Sequence, residues 1–186
     1  MYNKVLFVNP KIYANYPGAL NPHLGIGYII EYLKQNSKAK VQFIDMLLGY
    51  DYKDLTNKID KFKPDIIAIT LFTFDFVNSY KFIDKLKKDT NLPVILGGPH
   101  VNCFGKEVLK KCSADFAFVG EAEVSFTDFC KTDDLSKVNG LIYRKDDKII
   151  ENPVPIAVKD LDSLPFPKYE GFELRKYNYA NENRIP

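Results

Sequence analysis

Two histidines, His23 and His100, three cysteines and a few polar residues that each follow an apolar run carry whatever chemistry this 186-residue chain can do. The densest cluster is VILGGPHVNCFG, residues 94–105, in which a strand-like run turns abruptly into Gly97-Gly98-Pro99-His100. Glycine has no Cβ, so a backbone bearing two of them can approach a bound ligand closely. The same glycines would also serve merely to end a strand and start a helix. Asn9-Pro10, Asp45, the run Thr70-Leu71-Phe72-Thr73 and Gly120-Glu121 follow other apolar runs in the same way. Nowhere does a nucleophile stand beside a base, so the pattern describes binding, and no catalytic residue is nominated. Cys103, Cys112 and Cys130 are odd in number and widely spaced, which indicates neither a disulfide framework nor a metal clip. They read as free, mostly structural thiols, and no metal-ligand set is nominated.

These residues must be positioned by the elements that precede them. Val5-Leu6-Phe7-Val8 is continuous and apolar, as a strand buried on both faces would be. Residues 22–36 have helical spacing with Pro22 near the start, 41–45 read as a second strand and 51–63 as a second helix. DIIAITLF, residues 65–72, is the clearest strand, followed by a helix with an acidic start and a lysine-rich end. PVILGG is the fourth strand, FGKEVLKKC a short helix, DFAFVG the fifth strand and EAEVSFTDFCK its helix. Such alternation predicts an α/β fold, a flavodoxin-like doubly wound five-stranded parallel sheet in the order 2-1-3-4-5. Ligands then bind beyond the carboxyl ends of the strands, where the polar residues above collect.

After residue 135 the pattern changes. Residues 136–152 alternate around Asp146-Asp147 and predict a C-terminal β-hairpin outside the helical alternation. Residues 153–186 hold prolines and scattered aromatics without a period, which suggests a linker arm. The expected organisation is a binding domain over 1–135, a hairpin extension over 136–152 and a linker over 153–186.

Several function classes drop out. GIGYII does not follow a strand directly and has Ile30 at the third glycine position, so it is no dinucleotide fingerprint. Its glycines are better read as allowing tight packing of the first helix. No phosphate-binding GxxxxGK[ST] occurs, and the third strand ends without the carboxylate a receiver domain needs. Twenty-six basic against 24 acidic residues give a net charge of +2 and no case for nucleic acid. No apolar run approaches the roughly 20 residues of a membrane span, and the N-terminus lacks a signal-peptide core, so no membrane partner and a cytoplasmic location are expected.

In their order, VLFVNP, NPHLGIGYIIEYLK, KPDIIAIT, VILGGPHVN, ADFAFVGEAE and LDSLPFPKYEGF resemble the amino-terminal cobalamin-binding domain of B12-dependent radical S-adenosylmethionine enzymes. Ala122 departs from the family's Gly-Glu-Gly-Glu segment by replacing its second glycine. The resemblance implies that cobalamin lies against Asn9, Pro10, Thr70, Leu71, Phe72, Thr73, Gly97, Gly98, Pro99, His100, Gly120 and Glu121. It also implies base-off cobalamin without histidine ligation, because no Asp-x-His-x-x-Gly follows the first strand. The family's CxxxCxxC is not in this sequence, so its [4Fe–4S] cluster and S-adenosylmethionine would belong only to a missing catalytic domain. The implied partner is the chain's own C-terminal radical domain. His23 is expected to cap the first helix or sit in a loop, His100 to touch the ligand or anchor its loop, and Glu121 to cap a helix or touch the ligand.

Two rivals stand beside this expectation. The domain would have lost its cofactor and serve recognition or domain interaction if the bulky Leu71-Phe72-Thr73-Phe74 filled the slot for the nucleotide tail. A small flavoprotein would need a phosphate-cradling Ser/Thr-rich loop after the first strand, which NPKIYANYPG does not supply.

Overall fold

The computed structural model describes residues 1–11, 21–154 and 158–177. Most of the loop after the first strand and the chain end at Arg184-Ile185-Pro186 lie outside the described residues. The elements are β1 (Lys4–Asn9), α1 (Leu24–Asn36), β2 (Lys40–Asp45), α2 (Tyr52–Phe62), β3 (Ile66–Thr70), α3 (Phe76–Thr90), β4 (Val94–Gly97), α4 (Pro99–Phe104), α5 (Glu107–Lys111), β5 (Phe116–Phe118), α6 (Glu123–Lys131), β6 (Leu141–Lys145) and β7 (Lys148–Glu151).

One sheet runs in the order β2-β1-β3-β4-β5-β6-β7. The strands from β1 to β5 pair in parallel, and β6 and β7 pair antiparallel to their neighbours. The expected five-stranded parallel sheet is therefore corrected to a seven-stranded mixed one, because the hairpin joins the sheet. Leu141 pairs with Phe118 and Tyr143 with Phe116, which covers the edge of β5 that would otherwise present unpaired backbone groups. Asp146 and Asp147, with φ of 47° and 59°, make the two-residue turn, a geometry that matches strand twist. Arg144 of the hairpin donates to the carbonyls of Ala114 and Cys112 and so fastens β6 to the end of α5.

Successive side chains of a strand point to opposite faces. Leu6, Val8, Ile67 and Ile69 pack with Leu55, Ile59, Ile83, Leu86, Val101 and Leu109 from α2 to α5. Val5, Phe7, Ile66, Ala68 and Phe118 pack with Ile26, Ile30 and Leu33 of α1 and Phe126 and Phe129 of α6. The predicted helix over FGKEVLKKC is α5, and a further short helix, α4, precedes it, the two separated at Gly105 with φ +50°. Gly-Gly-Pro-His thus opens a helix, with Pro99 in its first turn, where a missing N–H is harmless.

Among the described residues α1 and α6 are the helices that cover the second face, and the arm completes it. Phe172 packs at a tilt against Phe43 of β2 with ring centroids 4.3 Å apart and is itself buried. Tyr169 and Pro167 press on Gly27 of α1, where an added Cβ would lie 2.9 Å from the Tyr169 ring. That contact is the packing role expected of this glycine. Lys168 pairs at 3.2 Å with the buried Glu31, and the Tyr177 hydroxyl donates to Asp45 at 3.0 Å. The described part of the arm is therefore docked on its own domain.

Candidate functional site

A cavity of about 240 Å³ lies between the sheet and the helices α1 and α6. Phe7, Ala68, Ile95 and Phe118 of the sheet, Ile26 and Ile29 of α1, and Phe126 of α6 give it apolar walls. Thr70, Gly97, Gly98, Pro99, Gly120 and Glu121, all expected from the sequence, meet around it. Its size is just below the usual range of roughly 300–1,000 Å³ for small-molecule pockets, which suits one branch of a larger ligand.

The two glycines have different duties. Gly98 has φ +98°, and a Cβ there would lie 2.7 Å from Thr70 Oγ1 and 2.9 Å from the Leu71 carbonyl. It lets the ends of β3 and β4 touch, and the Leu71 N–H donates to the Gly97 carbonyl at 2.8 Å beside it. Gly97 has no positive φ, and a Cβ built on it meets nothing within 4 Å. Its missing side chain leaves the cavity wall open.

His23 is the cap of α1: its Nδ1 accepts the Ile26 N–H at 3.2 Å. The Nδ1 lone pair is thereby used, so the neutral ring carries its proton on Nε2, which faces Thr70 Oγ1 at 3.4 Å. Burial lowers the His23 pKa, partly offset by its own backbone hydrogen bond, and so favours this neutral form. His23 also lines the cavity, a position its cap role did not suggest.

His100 lies elsewhere. In the first turn of α4 it points away from the cavity and is 2% exposed. Its Nε2 lies 2.6 Å from the Tyr80 hydroxyl and its Nδ1 3.3 Å from Thr73 Oγ1. Burial, with a smaller push from Cys112, holds the Tyr80 phenol up to about 12, so the hydroxyl keeps its proton to donate. Phe76 stacks nearly parallel to the imidazole, 5.3 Å away. Of the two roles expected for His100, the geometry supports the loop anchor.

The remaining expected residues also stand outside the cavity lining. Asn9 is buried and donates through Nδ2 to Asp45 Oδ1 at 3.0 Å, and Pro10 next to it is buried. Leu71 is core, Phe72 is half-buried, Thr73 is exposed and Phe74 is 66% exposed. Glu121 is exposed and does not cap α6, whose preceding residue Ala122 makes no side-chain cap.

Sequence reasoning passed over Asn102 and Glu123. Asn102 Oδ1 accepts the Gly120 N–H at 2.8 Å and ties the β5–α6 loop to α4. Its place one turn after Gly98 was the available signal, since the Asn102 N–H donates to the Gly98 carbonyl. Glu123 opens α6 and lines the cavity while 8% exposed. Burial raises its pKa, its own backbone N–H works against that, and nearby Glu121 adds to the rise. Among the described residues no lysine or arginine lines this cavity. Burial pushes the Cys112 and Cys130 thiols up to about 11 and about 12, far from a reactive thiolate, and Cys103 is exposed. Among the described residues no helix is long and apolar enough to cross a membrane.

Comparison with known proteins places a match to the B12 binding domain model over residues 10–129. An uncharacterized methyltransferase of Pyrococcus horikoshii, PH0819, is 29% identical over 168 residues, which cover 86% of this chain and 36% of that protein. Cytidylyl-2-hydroxyethylphosphonate methyltransferase of Streptomyces wedmorensis is 23% identical, with 95% of this chain and 42% of that protein covered. Among solved structures, the cobalamin-dependent S-adenosylmethionine radical enzyme OxsB with aqua-cobalamin and S-adenosylmethionine bound superposes with a TM-score of 0.76 at 20% identity, covering 89% of this chain and 24% of that one. TsrM of Kitasatospora setae, a radical S-adenosylmethionine methyltransferase with cobalamin and a [4Fe–4S] cluster bound, gives 0.70 at 16%, covering 89% and 31%. The chain thus spans less than half the length of each of these proteins.

Proposed function

The chain belongs to the B12-binding domain family, and we propose that it holds base-off cobalamin with the nucleotide tail in the cavity between the sheet and α1 and α6. The observation that carries this reading is the open wall at Gly97, where a Cβ would project into space a ligand can use. The apolar walls suit a flat heterocycle, and the rim offers Thr70, Asn102 and backbone groups for the polar atoms that follow it. Gly98 and Asn102 keep the loops after β3, β4 and β5 together, so the rim is formed before ligand arrives. Neither histidine is placed to ligate cobalt: both ring nitrogens of each already face protein partners. This supports the base-off, histidine-off form.

When bound, cobalamin would supply radical or methyl-transfer chemistry, and the domain would supply position. We assign that chemistry to a longer protein in which a radical S-adenosylmethionine domain, with its own cluster, follows this one. A domain that has lost its cofactor is less well supported, because Leu71, Phe72 and Phe74 stand outside the cavity they were expected to fill.

The test mixes the purified chain with hydroxocobalamin, desalts it and records the visible spectrum. Corrin absorption of the base-off type that travels with the protein is the expected result. A colourless protein fraction at high cofactor concentration overturns the proposal.

A further inference from the structure

The polar groups of the cavity wall differ in what they have left to offer. His23 uses Nδ1 on the Ile26 N–H and turns Nε2 to Thr70, and Asn102 uses its carbonyl oxygen on the Gly120 N–H. Among the described residues, Glu121 and Glu123 are the carboxylates of the lining, and no lysine or arginine lines it to pair with them. Glu123 is more than nine-tenths buried; burial raises its pKa and its own backbone N–H works against that rise. A buried carboxylate without a cation is costly unless donors reach its remaining lone pairs. A ligand that fills the cavity takes water away from this part of the lining, so the ligand must itself bring a donor to the carboxylate.

We propose that Glu123 is a specificity-determining residue of this cavity, its carboxylate accepting a hydrogen bond from an uncharged donor on the ligand, with Glu121 reinforcing the selection at the rim. This rests on the cobalamin reading above and deepens it. Neutral donors on that cofactor are of two kinds, the ribose hydroxyl of the nucleotide tail and the carboxamides around the corrin. Anionic groups are turned away by the same pair, which places the cofactor's phosphate outside the cavity, away from Glu123. A hydrogen bond to a buried charge, once lost, weakens binding about 10- to 100-fold.

The experiment titrates the chain and its Glu123→Gln variant with hydroxocobalamin and with dicyanocobinamide, which has the carboxamides and lacks the nucleotide. A variant weakened toward hydroxocobalamin alone supports the proposal with the ribose as donor. Weakening toward both supports it with a carboxamide as donor. Unchanged affinity for both, with the parent chain binding normally, overturns the inference and leaves the cobalamin reading standing. A parent chain that binds neither ligand overturns that reading and this inference with it. If Glu123→Gln loses its helical circular dichroism, Glu123→Asp decides: it keeps the charge and withdraws it by one methylene, so weakened binding supports the proposal and parental affinity overturns it.

Discussion

Replacing Gly97 and Gly98 by alanine, one at a time, should give opposite phenotypes from adjacent positions. At Gly98 the backbone sits at φ +98°, where an L side chain costs about 1–3 kcal/mol. The added Cβ would also lie 2.9 Å from the Leu71 carbonyl and 3.1 Å from its nitrogen, both backbone atoms that cannot swing aside. Overpacking of this kind adds about 1–3 kcal/mol, for a total of about 2–6 kcal/mol. In a domain of this size each kcal/mol is about 2–4 °C of Tm, so Gly98→Ala should melt roughly 4–24 °C below the parent. At Gly97 the conformation suits any residue and the Cβ meets nothing within 4 Å. Stability should hold, or rise by about 0.4–1 kcal/mol through a less flexible unfolded chain. The methyl would instead intrude on the ligand, with a cost of about 1–3 kcal/mol, or roughly 5- to 150-fold in Kd for hydroxocobalamin. Thermal melts followed by circular dichroism and titrations followed by visible absorbance separate the two effects. A Gly98→Ala protein that melts with the parent would refute the close-approach argument. Parental affinity in Gly97→Ala would refute the view that the ligand lies against this backbone.

Two more outcomes are expected. Phe172→Ala removes a ring that is 7% exposed and packed against Phe43, and should cost about 3–5 kcal/mol in urea unfolding, whereas a free linker would cost nothing measurable. Burial lowers the pKa of both His23 and His100, so the unfolded chain binds more protons than the folded one below the ordinary histidine value near 6.5. The histidine contribution should therefore be fully present above about pH 6.5 and be lost as pH falls below it, which melts between pH 5 and 8 will check.

Much of the sheet was legible because its signals are local. Strands such as Val5-Leu6-Phe7-Val8 and Ile66-Ile67-Ala68-Ile69 are buried on both faces and show as unbroken apolar runs. The rim glycines were legible for the same reason, since they directly follow such runs. The helical setting of His100 was not legible, because a Gly-Gly-Pro-His string has the composition of a loop, while Pro99 starts a helix. The lining from α1 and α6 was not legible, because Ile26, Glu123 and Phe126 reach the cavity only once two helices far apart in the chain pack side by side. The arm escaped notice for a related reason. Tyr169, Phe172 and Tyr177 dock through separate contacts that follow no period, and α1 and β2 show only half of each pair.

The docked arm also gives the domain a polarity. Met1 lies by Asp133, and the Tyr2 N–H donates to the Cys130 carbonyl at the far end of α6, at the amino-terminal edge of the sheet. Tyr177 is hydrogen-bonded to Asp45 at the opposite edge, where β2 ends. A six-residue strand separates the two edges by about 20 Å. A purification tag, fluorophore or surface anchor attached at Met1 therefore leaves the ligand face clear. Cargo attached just after Tyr177 would start out on that face, which makes this the attachment point for anything meant to report on what happens there.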